Sequence, residues 1–216
     1  MNHTTDEISN QLELDNNVPT WLTNTIIATP LMIWMPVIIL DSYLSIADLS
    51  DDILFRKFLP ALPLSVFELM VFILYGMACW SLSEYLLHRF VFHYKAKTRL
   101  GRSIIQVVHG THHDNPADQT RVITNPVISL VAGAVFFAAF FIYCGKNVAF
   151  AAYSGFIAGY LVYDYTHYFI HHHQPKSEYG NKLKDHHMMH HFADPHSKWG
   201  VTSWLWDFLF RTLQTK

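Results

Sequence analysis

Ten histidines in this 216-residue chain fall into four short clusters. His88 and His93 form the first, His109, His112 and His113 the second, His167 and His171 the third, and His187, His190 and His191 the fourth. Neutral imidazole is the commonest protein metal ligand, and dense repeated clusters of this kind point to metal. Residues three or four apart share one face of an α-helix. His109 with His112 and His113, and His187 with His190 and His191, can therefore each present three imidazoles to one place, and His167 and His171 can do the same. His88 and His93 are five apart, about 140° around a regular helix, so both reach one centre only if the helix ends or bends between them. Ten imidazoles exceed the coordination shell of one ion, which implies two metals. An all-imidazole set suits Zn, Cu, Fe or Ni and does not choose among them.

Carboxylates stand where partners for the ligating rings are expected. Glu84 precedes His88 by four residues, Asp164 precedes His167 by three, and Asp114 and Asp185 flank the other clusters. A carboxylate that accepts the distal ring N–H fixes imidazole orientation and raises ligand basicity. Tyr160 and Tyr163 lie one to two turns above His167, and Tyr163 is read as facing the metal pocket. Tyr163 and Asp164 are the candidate catalytic residues. His172, His173 and His186 are read as partners of the clusters or as exposed, and His3 and His196 as ordinary surface or core residues.

The elements that must carry these residues are strongly apolar. Hydrophobic residues make up 51% of the chain and charged residues 15%. Four segments have the length and composition of membrane spans, roughly 25–46, 58–83, 127–143 and 148–163. The first contains Pro30, Pro36 and Asp41, the second Glu68, and the third no charge. The fourth carries Gly155 and Gly159, a small-xxx-small spacing that lets two helix backbones approach closely. The alternative, a soluble bundle, leaves residues 127–143 without a polar face for water. Residues 1–22 read as a polar tail without a cleavable signal peptide, and 23–216 as one membrane-embedded domain. Arg89, Lys95, Lys97, Arg99, Arg102 and Arg121 lie between spans two and three, and Lys176, Lys182, Lys184, Lys198, Arg211 and Lys216 after span four. Only Arg56, Lys57 and Lys146 lie on the other side, so the positive-inside rule puts all four histidine clusters at the cytoplasmic face. A net charge of −2 and the lack of basic–aromatic runs give no reason to expect nucleic acid. Cys79 and Cys144, both in apolar stretches, read as small core residues rather than a disulfide.

In order and spacing, the clusters H-x4-H, H-x2-HH, H-x3-H and H-x2-HH between hydrophobic hairpins resemble the fatty acid hydroxylase superfamily. Glu84-Tyr-Leu-Leu-His-Arg-Phe-Val-Phe-His93, His109-Gly-Thr-His-His113, Tyr163-Asp-Tyr-Thr-His-Tyr168 and Gly200-Val-Thr-Ser-Trp-Leu-Trp-Asp207 are similar to the sphingolipid fatty acid 2-hydroxylases. The resemblance spans roughly 58–212. It implies an all-α fold, a bundle of about four transmembrane helices capped by a cytoplasmic helical domain that holds a di-metal centre. It implies that the ten clustered histidines are the ligands, that two irons are the active metals, and that zinc can occupy such sites in purified material. It also implies O2-dependent hydroxylation at C2 of a long acyl chain, free or in a sphingolipid or ceramide. Many relatives begin with a fused cytochrome b5 domain for which this chain has no room, so electrons are expected from a separate cytochrome b5-type or other donor. The membrane is the endoplasmic reticulum in a eukaryote or the inner membrane in a bacterium, and no retrieval signal is seen at the C-terminus. Two departures stand out: Arg211 occupies a position where relatives often have glycine, and Asn125-Pro126 replaces a Pro-Pro pair.

Three other readings compete. A sterol desaturase or C4-methyl oxidase and a carotenoid hydroxylase use similar histidine boxes, but the Tyr163-Asp-Tyr-Thr-His run disfavours them. A metal transporter or metal-storage protein is a reading of another class. It should place ligands near the membrane midplane, whereas here they gather at one end. A catalytically inactive scaffold is the third.

Overall fold

The computed structural model describes residues 24–47 and 63–214, and every regular element in them is helical. The expected tail over 1–22, His3, Arg56, Lys57 and the start of the second expected span lie outside the described residues. In chain order the helices are α1 (Thr29–Ile46), α2 (Val66–Leu87), α3 (Arg99–Ile105), α4 (Thr111–Asp114), α5 (Gln119–Val122), α6 (Pro126–Cys144), α7 (Lys146–His172), α8 (Glu178–Phe192) and α9 (Leu205–Leu209). Two π-helical turns, His88–Phe92 and Gln106–Gly110, continue α2 and α3.

Helix starts follow local chemistry. Pro30 opens α1, where a missing N–H costs nothing, and Pro36 is carried inside the same helix. Ser65 and Glu68 form a capping box at the start of α2, so Glu68 marks an end of the span rather than a charge within it. The Asn125 side chain accepts the Val127 amide at 2.9 Å and Pro126 takes the first turn of α6, which gives the Asn-Pro pair a capping function.

Among the described residues, three helical stretches are long and apolar enough to cross a membrane: Thr29–Ile46, Val66–Phe92 and Gln119–Cys144. Met32, Ile39, Phe67, Leu74, Val131, Val135 and Ile142 project outward from them, as lipid-facing side chains would. The fourth expected span belongs to α7, which does not meet the same composition. At 27 residues it is about 40 Å long, and it is the axis of the bundle, packed against α2, α1 and α6. Ala149, Ala151, Ala152, Phe156, Ile157 and Tyr160 on it are buried, and Trp80 of α2 meets Phe156 and Tyr160 edge-on at 5.1 and 5.3 Å.

Small residues set the α2–α7 approach. A Cβ at Gly155 would overlap the carbonyl of Ile73, and one at Gly76 would overlap the carbonyl of Ala152, so each helix offers a glycine to the other's backbone. Gly159 makes the same kind of contact with the Trp80 side chain. Arg211, just past α9, has φ 57°, the left-handed conformation that favours glycine. That conformation is a physical reason for glycine at this position.

Gly155→Ala is expected to destabilise the protein by about 1–3 kcal/mol, read as a lowered thermal unfolding midpoint in detergent, because backbone rather than a movable side chain blocks the new methyl. An unchanged midpoint would mean that the two helices separate without cost.

Candidate metal centre

The ten histidines meet at one end of the bundle and divide into two groups of five. One group is His88, His93, His109, His113 and His190; the other is His112, His167, His171, His187 and His191. Within each group the candidate ligand atoms all lie within 4.8 Å of one another. The π-helical turn His88–Phe92 supplies the bend that a five-residue spacing requires, bringing His88 and His93 to the same group. The three-histidine clusters do not each serve one place, as their spacing suggested. Pairs four apart stay together (His109 with His113, His187 with His191), while His112 and His190 cross to the opposite group. Helical twist explains the split: three residues fall short of a full turn and four exceed it, so the two neighbours diverge to either side. Each of these clusters therefore serves both groups. The groups adjoin, with the His113 and His191 rings stacked at 4.1 Å.

Six close Nε2–Nε2 approaches occur, all within a group. They are His88–His109, His190–His93 and His112–His191 at 3.1 Å, His191–His187 at 3.0 Å, and His167–His187 and His187–His171 at 2.9 Å. Two imidazoles at right angles around one ion, with bonds of about 2.0–2.1 Å, would set their nitrogens about 2.8–3.0 Å apart. A tetrahedral pair would lie at about 3.3–3.4 Å. The 2.9–3.0 Å approaches around His187 match the right-angle spacing, and five imidazoles in each group exceed the four of a tetrahedral ion. His88 Nδ1–H donates to the Trp199 carbonyl at 2.5 Å and His190 Nδ1–H to that of Ser197 at 2.8 Å, which leaves each Nε2 lone pair for a ligand bond.

The carboxylates act differently from what their sequence positions suggested. Glu84 accepts the amides of Val201 (2.7 Å) and Thr202 (2.8 Å) and the Thr202 hydroxyl (2.6 Å) instead of an imidazole. Asp164 accepts the Thr124 amide (3.1 Å), the Thr124 hydroxyl (3.0 Å) and the Tyr160 hydroxyl (3.1 Å). Asp114 accepts from Gln106, and Asp185 is exposed. Buried backbone amides need acceptors as much as rings do, and here they take the carboxylate oxygens. The sequence pattern does not mark Asp207 for such a role. Fully buried, it accepts His186 Nε2 (3.1 Å), the amides of Trp199 (2.9 Å) and Gly200 (2.8 Å) and the Thr212 hydroxyl (2.7 Å). His186 is thus buried beside the clusters, while His173 and His196 are exposed and His172 is half-buried.

Below the histidines, an apolar cavity of about 190 Å³ opens inside the bundle between α2, α6 and α7, lined among others by Trp80, Leu87, Ala132, Phe136, Phe156 and Tyr163. That exceeds the roughly 150 Å³ of an apolar cavity that takes up benzene. A smaller space of about 30 Å³ shares Phe92, Val108, Thr124, Ile128 and Tyr163 with it and reaches His109, His112 and His167. Tyr163 therefore stands between the apolar cavity and the clustered histidines, its ring stacked on His167 at 5.6 Å. Asp164 is fully buried behind it.

The family model for fatty acid hydroxylases matches residues 73–212, which contain all ten clustered histidines. The chain belongs to the fatty acid hydroxylase family. It is 36% identical over 148 residues to a dihydroceramide fatty acyl 2-hydroxylase of Arabidopsis thaliana, covering 68% of this chain and 62% of that one. It is 36% identical over 191 residues to a fatty acid 2-hydroxylase of Rattus norvegicus, covering 84% of this chain and 51% of the relative. The solved structure of full-length scs7p, of which only the hydroxylase domain is visible, superposes with a TM-score of 0.75 at 29% identity, over 90% of this chain and 69% of that one. The chain thus spans about half to two thirds of the length of these family members.

Burial keeps the clustered histidines of this family member neutral. It lowers His93 to about 3 and His190 to about 4, and holds His109, His112, His113, His187 and His191 well below the ordinary histidine range, with the neighbouring imidazoles adding to the effect for most of them. Neutral rings are the form that binds metal. Asp207 shows the opposite balance: burial pushes it up, but its donors from His186, Thr212, Gly200 and Trp199 outweigh burial and hold it below the usual carboxylate range.

These shifts fix the sign of a pH effect on the metal-free protein. Unfolded histidine takes up its proton near about pH 6.5, while the folded ligands resist protonation to far lower pH, so protons favour the unfolded chain in between. Stability should be level above about pH 6.5 and fall toward about pH 4. Unfolding midpoints of chelator-stripped protein across that range check this; a flat profile would contradict the burial of neutral rings.

Proposed function

We propose that this protein is an O2-dependent lipid hydroxylase that uses two irons, one in each five-histidine group, to insert a hydroxyl at C2 of a long acyl chain, free or in a sphingolipid or ceramide. The observation that carries this reading is the pair of five-imidazole groups opening onto an apolar cavity. Family membership and relatives named as 2-hydroxylases support the carbon and the lipid class. Zinc is the metal to expect where purification displaces iron.

The reaction consumes one O2, two electrons and two protons per C–H bond, and yields the alcohol and one water. When bound, the iron pair supplies the reductive activation of dioxygen. The chain supplies the binding and positioning. Its cavity removes an alkyl segment from water and sets one carbon against the histidine end, which is how an indiscriminate oxidant becomes selective. Tyr163 offers its phenol at the boundary between cavity and ligands. Asp164 positions Thr124 and Tyr160, both of which line the cavity, rather than reaching the substrate itself. The electrons come from a donor of cytochrome b5 type or another.

We read α7 as a fourth membrane helix shielded by its three neighbours, with the histidine end on the cytoplasmic side. The basic residues between α2 and α6 and after α7 support that orientation. The membrane is the endoplasmic reticulum in a eukaryote and the inner membrane in a bacterium. The gathering of all ten ligands at one end of the bundle speaks against a transporter, whose ligands should line a path through the middle.

Lipid mass spectrometry on cells that express the wild type beside His190→Ala tests the proposal. The expected result is one added oxygen at C2 of acyl chains in the wild type only. Loss of two hydrogens would make the protein a desaturase, and unchanged lipids despite bound iron and a supplied donor would overturn the acyl-hydroxylase reading.

A further inference from the structure

The segment Ser197–Thr202 touches one histidine group and not the other. The Ser197 and Trp199 carbonyls accept the Nδ1–H of His190 and His88. The Trp199 ring packs against His88 at 5.6 Å, His93 at 4.9 Å and His190 at 5.0 Å. All three histidines belong to the group that contains His109 and His113. Among the described residues, no hydrogen bond or ring contact joins this segment to the group of His112, His167, His171, His187 and His191.

The segment is itself gripped from behind. The peptide unit between Trp199 and Gly200 gives its carbonyl to His88 and its N–H to Asp207 at 2.8 Å. A carboxylate is thereby linked to an imidazole through one rigid, polarisable peptide plane. The next two amides, of Val201 and Thr202, go to Glu84, one turn before His88 on α2. The peptide unit between Ser197 and Lys198 gives its carbonyl to His190 and its N–H to the Thr212 carbonyl at 2.9 Å, and the Thr212 hydroxyl returns to Asp207. Lys198 adopts φ 58°, in the left-handed region, between the two carbonyls that face imidazoles.

From this geometry we infer that Ser197–Thr202 is a bracket for one of the two metal sites, with Asp207 and Glu84 as its positioning residues. Each bracketed ring is held as the tautomer with Nε2 free and is fixed in orientation, as a carboxylate, backbone carbonyl or water does for a ligating histidine. Here the peptide unit is interposed, so the carboxylates act on metal affinity while touching neither ligand ring nor ion. The sites are then unequal by design. The inference rests on the reading that each five-histidine group holds one metal.

The test is metal content per chain, in full-length protein loaded with Zn(II) and then equilibrated with a competing chelator. Wild type should retain two ions. Asp207→Asn, whose amide cannot accept from all the same donors, and Glu84→Gln should weaken one site by about 10- to 100-fold and leave the other, giving one ion per chain at intermediate chelator. Combination with ligand variants identifies the site lost. Asp207→Asn should remove the remaining ion from His187→Ala protein and change nothing in His88→Ala protein. Phe156→Leu, in the bundle core away from the bracket, serves as a general destabilisation control and should keep both ions at chelator concentrations that strip one from Asp207→Asn. Lys198→Gly, which keeps the backbone path and both carbonyls, should also keep both.

Retention of two ions by Asp207→Asn and Glu84→Gln, or equal weakening of both sites, would overturn the bracket. Wild type that binds no metal, or a single ion, would instead remove the premise that each group is a metal site. If Asp207→Asn cannot be purified folded, Glu84→Gln in the His187→Ala and His88→Ala backgrounds decides the same question.

Discussion

Five imidazole nitrogens within 4.8 Å of one another, several pairs about 3 Å apart, form an arrangement that neutral rings do not adopt for their own sake. Lone pairs turned toward one point repel, and burial removes the water that would otherwise satisfy them. A cation at that point converts both costs into ligand bonds. Two such groups side by side therefore define what the rest of the protein must do. It must bring ten side chains from four segments to one end of a helical bundle, keep them neutral, and hold their rings still before any ion arrives.

Helix geometry does much of this directly. Four-residue spacings give pairs to one group, and three-residue spacings send a partner to the other, so α8 and the segment that contains α4 each staple the two groups together. Where the spacing is wrong for an α-helix, at His88 and His93, the helix widens into a π-turn. The glycine contacts between α2 and α7 fix how close two of the ligand-bearing helices lie. One face of α2 and its π-turn carries Ser81, Glu84, Tyr85 and His88 and receives the segment 199–212. Trp206 bonds Ser81 at 3.0 Å, Thr202 bonds Glu84, Thr212 meets Tyr85 at 3.0 Å, and Trp199 holds His88. These bonds join the histidine cluster to α2, a helix that also lines the apolar cavity, so that ring placement and helix packing become parts of one arrangement.

Much of the centre is legible in the sequence because it is written in spacing. The ten histidines stand out as clusters, and their number implies two ions. The need for a break between His88 and His93 follows from helix geometry alone, and a π-turn fills it. The sorting of His112 and His190 away from their cluster mates is harder to see, because it depends on where two ion positions lie relative to each helix axis. The carboxylate partners are the least legible. Glu84 and Asp164 stand at helical distance from a ligand, yet they serve Thr202 and Thr124, residues far away in sequence. Asp207 lies 17 residues after His190 in a short helix, and nothing in its local pattern announces that it anchors a loop at the metal site. The long helices follow from hydropathy, and α7 is the one whose composition alone does not mark a span, because its apolar face is spent on its neighbours.

The most direct test of the two-group centre is X-ray absorption spectroscopy with metal quantification on the iron-loaded protein. Two irons per chain should appear, each with an all-nitrogen or nitrogen-and-oxygen shell at about 2.0–2.2 Å and strong multiple-scattering features from about five imidazoles. One iron per chain, sulfur in the first shell, or an imidazole count of two or three per iron would contradict the division of the ten histidines into two complete sites.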